Sequence, residues 1–72
     1  MKFSYKPLWK LMIDRDIKNL ALIEMADISK STFYKLKNGD NVTTEVLLKI
    51  CTCLDVDISE IMECVKETGE DE

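Results

Sequence analysis

A chain of 72 residues, 46% hydrophobic and 33% charged, can build one small core and no second domain. It has no histidine, two glycines and one proline, so it lacks the commonest acid–base side chain and carries little irregular structure, which argues against an enzyme. The formal charge of −4 is unevenly spread: residues 1–41 hold eight basic side chains against five acidic ones, residues 42–72 two against nine, so a modestly basic half could face phosphate while an acidic half points away.

Taken in chain order, the signals spell helices. Pro7 suits a first turn and predicts a helix over 6–14 that buries Leu8 and Leu11, with Ile17 packing just beyond it. A second helix is predicted over 19–26 and a third over 30–37, with Asp27-Ile28-Ser29 as the change of direction. Leu22, Ala26, Ile28, Phe33 and Leu36 then fall where two crossed helices would each bury one side. Ser29 is placed to cap the third helix by accepting from the amide of Ser31 or Thr32, worth about 1 kcal/mol.

Asn38-Gly39-Asp40-Asn41 breaks the periodicity with turn formers, and Thr43 caps a fourth helix over 44–54. Asp57 and Glu60 form a D-x-x-E box that predicts a fifth helix over 58–66. The expected fold is therefore all-α: one five-helix domain over 1–66, followed by an acidic tail over 67–72 expected to fray. Leu47, Ile50, Cys51, Leu54, Val56, Ile58 and Ile61 supply a second apolar set to close over the first.

The outer face of the third helix carries Lys30, Ser31, Tyr34, Lys35 and Lys37, a set of donors and cations suited to phosphates and base edges. A solvated helix face has the same composition, so clustering on one face gives the set its weight. Cys51 and Cys53 lie two apart on a helix and point to different faces, which disfavours a shared metal or a disulfide; with Cys64 they are expected to be reduced thiols. Trp9, Met12, Ile13, Met62 and Val65 add apolar area, either thickening a thin core or forming a homodimer or docking surface. No apolar run approaches the roughly 20 residues of a membrane span, and MKFSYKPLWK has no leader pattern, so a cytoplasmic location is expected.

Three segments, L-x-x-x-A-D-I-S at Leu22 to Ser29, S-T-F-Y-K-L-K-N-G at Ser31 to Gly39 and V-L-L-K-I-C-x-x-L-D-V-D-I-S-E-I at Val46 to Ile61, stand in an order and spacing that resembles the lambda-repressor and Cro type (Xre-like) of helix-turn-helix. Small single-domain bacterial and phage members are the nearest likeness. The resemblance implies double-stranded DNA as partner, a homodimer on a two-fold operator, and transcriptional regulation, with repression the expected mode. It implies no cofactor, metal, catalytic residue or small-molecule ligand. By the same resemblance, Lys30, Ser31 and Lys35 would reach base edges with Thr32 and Tyr34 flanking them, while Lys18, Asn19, Lys37, Asn38 and Asn41 would hold phosphates.

The chain departs from that pattern in three places: Asp27 and Asp55 stand at turn positions where Gly is common, Ile23 occupies a site usually kept small, and Lys18 replaces a capping Ser or Thr. A second function class stays open beside the first, a protein-interaction module on the same fold, antitoxin-like or an anti-regulator, whose acidic half would bind the partner.

Overall fold

Ser29 and Thr43 start helices because their hydroxyls satisfy amides that the first turn leaves free: Ser29 Oγ accepts from Thr32 N–H at 3.1 Å and Thr43 Oγ1 from Val46 N–H at 3.3 Å. The computed structural model describes residues 1–66. Along them run strand β1 (Lys2–Ser4), helices α1 (Lys6–Asp14), α2 (Asn19–Ala26), α3 (Lys30–Asn38) and α4 (Thr44–Leu54), a 3₁₀ turn (Ile58–Glu60) and strand β2 (Glu63–Val65). Helices α1, α2 and α4 span the expected residues, and α3 runs one residue further.

All four helices stop in the same way. A left-handed residue closes each: Asp27 (φ 57°), Gly39 (φ 79°) and Asp55 (φ 58°) directly after α2, α3 and α4, and Asp16 (φ 56°) one residue further on, after Arg15, at the end of α1. At each stop two amides fold back onto the last turn, Asp16 to Ile13 (3.1 Å) and Ile17 to Met12 (2.8 Å) after α1, Asp27 to Glu24 (3.3 Å) and Ile28 to Ile23 (3.2 Å) after α2. Gly39 to Leu36 (3.1 Å) and Asp40 to Lys35 (2.8 Å) repeat the pair after α3, as do Asp55 to Thr52 (3.3 Å) and Val56 to Cys51 (3.1 Å) after α4. This is the Schellman arrangement, normally ended by glycine; Asp takes the left-handed conformation at a lower cost than most residues. The following residues Ile17, Ile28 and Val56 then drop onto the core.

Two of the helix ends receive a cation from elsewhere in the fold. Arg15 Nη1 donates to the Leu54 carbonyl at 2.6 Å, and Lys49 Nζ to the Asp27 carbonyl at 3.3 Å, each placing positive charge at the negative end of a helix. The second of these ties α4 to α2, the pair of helices in closest mutual contact.

Beneath the helices lies a single apolar core: Tyr5, Leu8, Met12, Leu22, Ala26, Phe33, Leu36, Ile50, Leu54 and Ile61. Each fully buried Leu, Ile or Phe contributes roughly 1.5–3 kcal/mol against an exposed position. Leu11, Ile17, Ile28, Leu47, Cys51 and Val56, expected inside, are half-buried against it, as is Ile23, whose bulk is accommodated at the edge. Met12 enters the core outright, whereas Ile13 stays 78% exposed.

The expected fifth helix does not form. Its capping box closes, with the Asp57 amide donating to Glu60 Oε2 at 3.3 Å, but only one 3₁₀ turn follows. Ile61 then plugs the core while Ile58 remains 42% exposed. A continuing helix would have to bury 58, 61, 62 and 65 together, whereas Ile61 is fully buried, Met62 and Val65 are only half-buried and Ile58 faces solvent. The chain instead extends through Glu63–Val65 and pairs antiparallel with Lys2–Ser4 in the register Lys2↔Val65, Phe3↔Cys64, Ser4↔Glu63. The fold class stands, a helical helix-turn-helix domain, with four helices and a small β-ribbon in place of five helices. The tail over 67–72 lies outside the described residues. Among the described residues no helix is long and apolar enough to cross a membrane.

Candidate nucleic-acid interface

The α2–turn–α3 unit sets the geometry of the site. Leu22 and Ala26 of α2 and Phe33 and Leu36 of α3 are buried, so the opposite side of α3 is left to solvent. Lys30, Ser31, Tyr34, Lys35 and Asn38 stand along that side, each exposed, at i, i+1, i+4, i+5 and i+8, the spacing of one stripe on a helix. Tyr34 is 61% exposed with its ring edge-on to Phe33, 6.1 Å between centroids. An aromatic ring held on a buried neighbour with its hydroxyl free is a rigid polar probe.

The cap orders the start of this stripe. Ser29 Oγ accepts from the Thr32 amide, donates to Thr32 Oγ1 at 2.9 Å, and lies 3.1 Å from Ser31 Oγ. Ser31 therefore presents its hydroxyl from a small fixed network. Thr32 is half-buried and bound into the cap, at the margin of the stripe. It shares a shallow cleft with Lys35 and Asn41, between α3 and the start of α4.

Lys18 is the residue before α2, in extended conformation and with no side-chain cap, and Asn19 is the first helical residue; both are exposed. The first amides of α2 thus have no side-chain acceptor from the capping residue, and a cation stands beside them. Such an end favours an anion.

Lys37 departs from the others. Its Nζ lies 4.7 Å from the centroid of Trp9 and 5.9 Å from that of Phe33, and the Trp9 and Phe33 rings meet edge-to-face at 5.9 Å. The side chain is thereby held at the α1 edge of α3, away from the Lys30–Lys35 stripe. Trp9 is the residue that sequence reasoning left out of the site: nothing local to it marks it as the platform for a lysine on another helix. Asn38 ends α3 and Asn41 lies in the loop beyond it, both exposed, with Asp40 the one carboxylate between Lys30 and Asn41.

Among the described residues no cluster of His, Cys, Asp or Glu could hold a metal ion. What the surface offers is donors and positive charge.

Residues 7–67 match the model of the Cro/C1-type HTH DNA-binding domain. Among solved structures, the chain is similar to that of the transcriptional regulator VanUg (crystal form II), at 48% identity and a TM-score of 0.87, over 92% of this chain and 88% of that one. No curated protein matches.

Proposed function

Because the chain belongs to the Cro/C1-type helix-turn-helix DNA-binding family, we propose that it is a sequence-specific transcriptional regulator that binds double-stranded DNA as a homodimer and acts chiefly by repression. The similarity to a transcriptional regulator supports the role, and the observation that carries the mechanism is the free stripe on α3. In this reading Lys30, Ser31 and Lys35 reach base edges, with Tyr34 and Thr32 beside them. A lysine meeting guanine O6 or N7 contributes about 1–3 kcal/mol of discrimination.

Phosphates would be held by Lys18 and Asn19 at the opening of α2, and by Lys37, Asn38 and Asn41 where α3 ends. These contacts fix register and make affinity fall with salt. Residues 1–66 act as one domain. Two copies would meet through apolar surface that one copy leaves over: exposed Leu48 and Ile58 beside half-buried Leu47, Cys51 and Val56. A dimer would set its two α3 helices about 34 Å apart, one turn of duplex.

Selection of bound sequences from a random duplex pool tests the proposal. A two-fold symmetric motif, bound by the wild type and lost by Lys30→Ala/Lys35→Ala with the fold intact, is the expected result. Unchanged affinity of that variant in a gel shift would remove α3 from the reading role.

A further inference from the structure

Among the described residues, four lysines surround one open groove: Lys2 of β1, Lys6 of α1, Lys37 of α3, and Lys66 just past β2. Against them stands one carboxylate, Glu63. Elsewhere in residues 1–66 the balance is reversed, six cations to nine acids, so the groove holds a concentration of positive charge that the acidic overall composition hides. Clustered like charges repel, and an anionic partner relieves that repulsion.

The location says which anion. The groove includes Asn38 and Gly39, the C-terminal end of α3, and a neighbouring hollow joins β1 to Asn41 of the same loop. The β-ribbon therefore sits directly beside the end of the helix proposed above to reach base edges. Lys37 points to this side because Trp9 holds it there. Strand pairing fixes Lys2 against Val65, one residue from Lys66, so the two lysines are brought to one end of the ribbon although they lie at opposite ends of the described chain.

We propose that this ribbon groove is a second backbone clamp, in which Lys2, Lys6 and Lys66, with Lys37, grip phosphates of duplex DNA outside the base pairs that α3 reads. The inference rests on the DNA-binding reading above and extends its footprint. It assigns a role to the β-ribbon that replaces the fifth helix: the ribbon carries cations to the rim of the interface.

The test compares wild type with Lys2→Gln/Lys6→Gln/Lys66→Gln by fluorescence anisotropy on the selected duplex, at several salt concentrations, with and without flanking base pairs. Each phosphate contact contributes about 0.9 to the log–log salt slope, so the triple variant should lose about 2–3 from it and bind several-fold to a hundred-fold more weakly, with base preference unchanged. Trimming the flanks should weaken the wild type and leave the variant nearly unaffected. A Lys→Arg triple at the same positions should keep the slope, and Lys49→Gln, remote from the groove, should leave it unaltered. A triple variant with wild-type slope and wild-type flank dependence, while Lys30→Ala/Lys35→Ala abolishes binding, overturns the clamp and spares the α3 reading. Absence of salt-dependent duplex binding by the wild type overturns both.

Discussion

Arg15 and Leu54 join the end of α1 to the end of α4: the guanidinium donates to the Leu54 carbonyl at 2.6 Å, supplying both a hydrogen bond and a positive charge to a helix terminus. Counted along the sequence, Arg15 belongs to the basic half that could face phosphate. In the fold it is occupied with a structural role. Arg15→Met keeps the aliphatic stem and removes the charge, so it should cost about 1–2 kcal/mol. That corresponds to a fall in Tm of roughly 4–16 °C for a domain this small, measurable by calorimetry, with duplex affinity little changed at a temperature where the variant is folded. An unchanged Tm would mean that the contact is not formed in solution.

The left-handed aspartates should respond in opposite directions to two small substitutions. Asp55→Gly removes the steric cost at φ 58° and a negative charge from the negative end of α4. Even after the extra freedom it gives the unfolded chain, it should stabilise by about 0.5–1 kcal/mol. Asp55→Ala keeps a Cβ in the left-handed region, loses the local polar compensation, and should destabilise by about 0.5–1 kcal/mol. Urea midpoints of the two variants decide it, and equal shifts of one sign would contradict the backbone account.

Why some of this was legible beforehand follows from the range of each signal. Pro7, Ser29, Thr43 and the turn residues after each helix act within a few positions, so they place helix boundaries without knowledge of the fold. The box at Asp57 and Glu60 is equally local, and it forms. Whether a helix continues past it depends on what Ile61 and the following residues meet, and their partner, Lys2–Ser4, lies at the other end of the chain. The exposed stripe on α3 is visible in the sequence through its i, i+4 spacing. The same spacing puts Lys37 in that set, since it cannot register Trp9, which reaches α3 only through the packing of α1.

Thiol reactivity should divide the cysteines. Cys64 is exposed on β2 and should label first with a disulfide reagent near neutral pH, while Cys51 and Cys53 are half-buried and slower. Burial pushes the Cys51 thiol up, with Asp57 and Glu60 adding to the effect. Burial likewise raises Cys53, which gives its Sγ proton toward the Ile50 carbonyl at 3.3 Å. Burial raises the Tyr5 hydroxyl too. All three groups lose protons more readily when unfolded than when folded. Their stabilising effect is complete below the ordinary thiol range and is lost as pH rises through and above it. Denaturation midpoints should accordingly fall above about pH 8.5, first as the thiols titrate and then further near the phenol range. A midpoint flat to pH 11 would show that these groups are not desolvated in the fold.

Ser29 separates stability from DNA binding, because its oxygen caps α3 at the place where that helix would enter the groove. Ser29→Ala removes the acceptor of the Thr32 amide and should cost about 1 kcal/mol, with a smaller, indirect loss of DNA affinity. Ser29→Asp keeps an acceptor that is among the best at this position and adds a charge favourable to the helix dipole, so the domain should be as stable as the wild type or slightly more so. The same carboxylate would stand beside Lys30 and Ser31 facing the duplex, and should weaken binding by tenfold or more, on the order of 1.4 kcal/mol or above. Paired thermal melts and anisotropy titrations read both effects on the same samples. If Ser29→Asp is stable and binds as the wild type does, the N-terminus of α3 does not approach DNA, and the reading of Lys30 and Ser31 as base contacts fails with it.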